Sequence, residues 1–67
     1  MTTLDAILRV LNAPTTAPLY AVHETERCEM WRSNGRLACH GANGHVVAAP
    51  LAGAWSLHDV PLAQVAS

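Results

Sequence analysis

The chain has 67 residues, 51% of them hydrophobic and 13% charged, with a formal net charge of −1. That length holds one small domain, residues 1–67, near the lower end of what folds alone, and no apolar run is long enough to span a bilayer. Four arginines and no lysine give no positive excess, which argues against a nucleic-acid binder, because such proteins rely on counterion release.

The N-terminal segment reads as a helix. Thr2 or Thr3 supplies the cap, and Leu4, Ile7, Leu8 and Leu11 recur at helical spacing as an apolar stripe. Asp5 sits near the positive end of the helix dipole and pairs in sequence with Arg9 at i,i+4. Asn12-Ala13-Pro14 ends the helix, since the residue before a proline is pushed out of the α region. Thr15–Pro18 reads as a loop, and residues 19–25 as a first strand.

The strongest local signal is Asn34-Gly35 between two strand-like runs, 28–33 and 36–40. Both residues can take the positive φ that a type I′ hairpin turn requires. A two-residue loop pairs Ser33 with Arg36, Arg32 with Leu37, Trp31 with Ala38, Met30 with Cys39 and Glu29 with His40. Alternation then puts Cys28, Met30, Arg32, Leu37 and Cys39 on one face. Glu29, Trp31, Ser33, Arg36, Ala38 and His40 occupy the other. A second turn at residues 41–44 leads into a short strand over 45–49, stopped by Pro50. An even turn there places Val46 and Ala48 on the first face, and His45, Val47 and Ala49 on the second.

Residues 55–58 form one more candidate strand. Asp59 is positioned to cap a last turn of helix over 60–65, with Pro61 tolerated in its first turn. The expected fold is α+β: an N-terminal helix packed on a three- to four-stranded antiparallel meander, with a short C-terminal strand or helix. The helix covers the first face. The second face is covered by the C-terminal segment (Trp55, Leu57, Leu62) or by another chain, and monomers rarely leave such a patch open.

Several side-chain sets suggest chemistry. Cys28, Cys39, His40 and His45 are zinc-ligand types, but the short Cys spacing of structural zinc sites is absent, and Cys39 and His40 point to opposite faces. Cys28 and Cys39 share a face as diagonal neighbours, about 7 Å apart at Cβ, beyond ordinary disulfide reach. Glu29, His40 and His45 form a row that lacks a nucleophile or oxyanion donor. Ser56-x-His58-Asp59 holds the letters of a triad, but in residues too close along the chain for its head-to-tail geometry. Gly41-x-x-Gly44 lacks the lysine of a phosphate cradle. His23 reads as a strand histidine facing water. No metal or other cofactor follows.

The functional expectation is a non-enzymatic accessory protein of adaptor or inhibitor type, acting by protein–protein contact. Small chains of this kind are common in bacterial and phage genomes, and the Ala- and Arg-rich, Lys-free composition is compatible with a GC-rich source. Trp31 is the anchor of the binding surface, with Arg32, Arg36, Glu29, His40 and Val47 around it. Two alternatives are a zinc-binding module on Cys28, Cys39, His40 and His45, and a nucleic-acid-binding hairpin on Arg27, Arg32, Arg36 and Trp31. The core is thin, with Phe absent and a single Tyr, so a homodimer is a further expectation. The N-terminal residues lack the basic segment of a signal peptide. A cytoplasmic address with two free thiols is therefore expected.

Overall fold

Residues 1–65 are described in a computed structural model; residues 66 and 67 of the expected domain lie outside that range. Helix α1 spans Thr3–Asn12. Thr2 caps it: its hydroxyl accepts the Asp5 amide at 3.2 Å, and the Asp5 carboxylate reaches back to the Thr2 amide and hydroxyl. This reciprocal capping box engages Asp5 with Thr2 rather than with Arg9. The helix stops before Pro14, with Ala13 already extended. Its last carbonyls are held by Arg32, which donates to Leu11 O at 2.9 Å and Ala13 O at 2.6 Å.

Four strands follow: β1 Tyr20–His23, β2 Cys28–Ser33, β3 Arg36–Gly41 and β4 Trp55–His58. A final turn of helix, α2, spans Leu62–Val65. All neighbouring strands are antiparallel, and the sheet order is β3-β2-β1-β4. The β2–β3 register matches the Asn34-Gly35 expectation pair for pair, from Ser33–Arg36 to Glu29–His40. Asn34 and Gly35 take φ of 52° and 79°, the type I′ signature.

The architecture departs from a simple meander at two points. Residues 45–49 do not form a strand; only the bridge His40–Val46 remains. The turn before it holds three residues between the paired Gly41 and His45, not two or four. An odd turn reverses the facing of everything after it. Val46 therefore goes to the side of His40 and is 80% exposed, while Val47 packs near Gly41 and Ala49 joins the helix-side core. The fourth strand then crosses the molecule to pair with β1, with Tyr20 opposite His58 and His23 opposite Trp55.

The core lies between α1 and the first face of the sheet. Ala6, Val10, Ala21, Cys28, Met30 and Trp55 form it, with Ile7, Cys39, Ala49 and Leu57 at its margin. Trp55 and Leu57 thus belong to the helix side and do not cover the second face. The helix presents its small side, Thr3, Ala6 and Val10, to the sheet. Of the expected apolar stripe only Ile7 is half-buried; Leu4, Leu8 and Leu11 are 65%, 51% and 37% exposed. Small residues let the helix approach a face already filled by Met30 and Trp55.

Buried polar groups around β4 are paired. The Thr3 hydroxyl accepts from Trp55 Nε1 at 2.7 Å and donates to Pro50 O at 2.7 Å. His23, expected to face water, is buried on the core side, where its ring meets Trp55 edge-on at 5.0 Å. Its Nδ1 accepts the Glu26 and Thr25 amides, so Nε2 carries the hydrogen and donates to Ala52 O at 2.8 Å. Gly53 is at φ +101° with its Cα against this ring. Both sheet edges are partly occupied: Met1 exchanges backbone hydrogen bonds with Trp55, and the 45–47 segment bonds to Cys39 and Gly41.

Candidate functional site

The second face is built by alternation across four strands. One row reads His58, Tyr20, Trp31, Ala38; the next reads Ser56, Val22, Glu29, His40. All four residues of the first row are half-buried. Trp31 is central. Its ring lies 6.1 Å from that of Tyr20 and 4.5 Å from that of His40, tilted against both. The three rings form a continuous strip, in the range where aromatic pairs attract beyond simple area burial.

In the second row Glu29 does not pair with His40, although the two are register partners. Its carboxylate accepts the Leu62 amide at 2.5 Å. This long-range contact satisfies an amide at the start of α2, the role expected of Asp59. Of the C-terminal residues expected over this face, Leu62 is the one that arrives, at the Glu29 end. A shallow recess remains there between α2 and the hairpin, lined by Arg27, Glu29, His40, Gly41 and Leu62.

The six residues expected as one binding surface do not all share a face. Trp31, Glu29, Arg36 and His40 do. Arg32 is on the helix side, committed to the end of α1. Val47 is also turned toward the helix side, and the exposed Val46 stands beside His40 in its place. The same split divides the arginines of the nucleic-acid reading, because Arg32 cannot join Arg36 and Trp31 on one stripe.

Cys28 and Cys39 are free and adjacent on the helix side. Burial, reinforced by Cys39 close by, pushes the Cys28 thiol up to about 11, and burial also raises Cys39. Both are therefore neutral thiols at ordinary pH, poor as nucleophiles. Among the described residues no three of His, Cys, Asp and Glu converge as a metal site. Cys39 and His40 diverge as alternation dictates, and the odd turn gives His45, expected on the second face, the facing of the cysteines instead, where it is exposed.

One contact was not anticipated. Ser56 Oγ lies 2.9 Å from His58 Nε2 and 3.5 Å from Val22 O. Their i,i+2 spacing on β4 places both on one face, and that spacing was the available signal. Asp59 is exposed and makes no hydrogen bond to the ring, so the pair lacks the orienting acid of a triad.

Comparison with protein-family models, with curated proteins and with solved structures finds no match to this chain.

Proposed function

We propose that this chain is a non-enzymatic accessory protein that acts by contact with another protein, in the manner of an adaptor or inhibitor. The observation that carries the reading is the Tyr20–Trp31–His40 ring strip, half-buried and central on a sheet face that α2 reaches at its Glu29 end, beside the buried Val22. Aromatic residues on a rigid sheet are favourable anchors, because they bury large area with few rotatable bonds. Trp31 is the anchor. Glu29, His40 and Arg36 form the rim, joined by Val46 where the sequence suggested Val47.

The test compares the proteins retained from extracts of the source cell by the wild-type chain, by Trp31→Ala and by Arg32→Ala. The reading expects one stoichiometric species that is lost with Trp31→Ala and kept with Arg32→Ala, while circular dichroism leaves Trp31→Ala folded. Equal retention by all three chains removes Trp31 from the surface. Unfolding of Trp31→Ala makes it a core residue instead.

A further inference from the structure

We propose that α1 is a self-association seam, with a second copy of this chain as its occupant. The helix carries a wider apolar arc than the sheet covers. Thr3, Ala6 and Val10 face the core, while Leu4, Leu8 and Leu11 are exposed on the adjoining side. Along α1 these leucines recur at intervals of four and three. That is the a/d spacing by which one helix packs against another. Three exposed leucines on ten residues are not the scattered apolar residues of an ordinary surface.

Charge selects the partner. On the flank of this row lie Asp5, Asn12 and Arg9, and Arg9 has no hydrogen-bonding or ionic partner among the described residues. A two-fold axis near Leu8 runs the helices antiparallel. It sets Leu4 against the partner's Leu11 and Leu8 near its own copy. The same operation brings the partner's Arg9 and the partner's Asn12 alongside Asp5, and the reverse. Like charges do not meet, and each copy offers the other the same two opposite charges. A lipid surface suits the helix less well, since its polar flank holds one arginine and one aspartate rather than a basic band.

A groove of about 670 Å³ runs along the same flank, between α1 and the loop that follows, with Met1, Leu8, Pro14, Ala17 and Leu19 in its walls. Across the axis the grooves of the two copies face each other on this flank, with Asp5 and Arg9 in their walls. Ten residues give a seam of about 15 Å, at the small end of stable contacts. The contact uses the face opposite to Trp31 and leaves the ring strip of both copies free.

Sedimentation equilibrium of the full chain, from low micromolar to millimolar, tests this. A reversible monomer–dimer equilibrium is expected. Leu8→Glu should weaken it by about a hundredfold or more, with an unchanged circular dichroism spectrum, because Leu8 is not part of the core. Because position 8 faces its own copy across the axis, Leu8→Glu and Leu8→Lys should each be monomeric alone and should pair when mixed. A wild-type chain that stays monomeric at millimolar concentration overturns the proposal. So does a dimer that survives Leu8→Glu but is lost with Trp31→Ala. Failure of the two charged variants to pair overturns the antiparallel geometry.

Discussion

Replacing Gly53 by Ala tests how tightly the 50–54 loop is seated on β1. Two terms add. At φ +101° a side chain is strained, by about 1–2 kcal/mol. An added Cβ would also meet the His23 ring, 2.7 Å from Cε1 and closer still to Nε2. The ring must move, and it is tied on both sides, by the Ala52 carbonyl at 2.8 Å and by two amides at Nδ1. Losing the Ala52 bond costs about 1 kcal/mol, and loosening the edge-on contact with Trp55 costs about 0.5–1 kcal/mol more. The sum is about 3 kcal/mol. A chain of this length has total stability of about 3–10 kcal/mol, so the variant should sit close to unfolding at room temperature. Gly35→Ala is the control: its φ is +79°, but nothing lies within 4 Å of the added Cβ, which leaves the backbone term alone, about 1 kcal/mol. Urea unfolding followed by tryptophan fluorescence measures both. A Gly53→Ala midpoint equal to that of Gly35→Ala would refute the packing argument. If the argument holds, His23→Ala in the Gly53→Ala background costs less than His23→Ala alone.

Thr3→Val keeps the shape of the side chain but leaves Trp55 Nε1 without its acceptor and Pro50 O without its donor. Thermal unfolding should show a loss of about 2 kcal/mol, as for a buried unsatisfied donor, and a loss below half of that denies the relay its role. Arg32→Lys retains the charge but cannot hold both the Leu11 and Ala13 carbonyls, so a stability loss of about 1 kcal/mol is expected in a urea titration. Neutrality would show that helix α1 ends without its help. Cys28 binds its proton more tightly when folded, up to about 11 against a usual 9.0. The folded state therefore holds the proton that the unfolded chain releases. Stability is flat with pH below the unfolded value and falls as pH rises from about 9 toward about 11. A Cys28→Ala variant should lose most of that alkaline slope in pH-dependent unfolding, and an unchanged slope would place its origin elsewhere.

The hairpin was legible because Asn34-Gly35 fixes a two-residue loop, and the loop fixes every later pair. Its core face followed by alternation. The orientation of α1 was not legible in the same way. Its apolar arc is broad, and the sequence pattern marks leucines more strongly than Ala6 and Val10, while close approach to Met30 and Trp55 selects the small residues. The segment after residue 44 was misread by a single position in the turn, which was enough to exchange Val46 with Val47. The destination of β4 is a non-local matter that local pattern does not encode. Of the surface around Trp31, the members on β2 and β3 were placed correctly with respect to one another, except Arg32, whose parity already put it on the opposite face. The capping of α2 by Glu29 depends on a contact across 33 positions and left no local trace.

The sheet order β3-β2-β1-β4 also has a consequence in time. The pairings β1–β2 and β2–β3 close over short turns, whereas β4 must return from position 55 to position 23 before its first pair forms. Closing the longer loop costs more chain entropy, so it tends to follow the local hairpins. The two tryptophans fall on either side of that divide: Trp31 on β2 within the early hairpin, Trp55 on the strand that arrives last. In stopped-flow refolding, chains keeping one tryptophan each should separate the two events, with Trp31 changing before Trp55; simultaneous signals would mean that the sheet forms in one step. Under this order the unfinished molecule is a three-stranded sheet with its β1 edge bare, and β4 is the clasp that closes it.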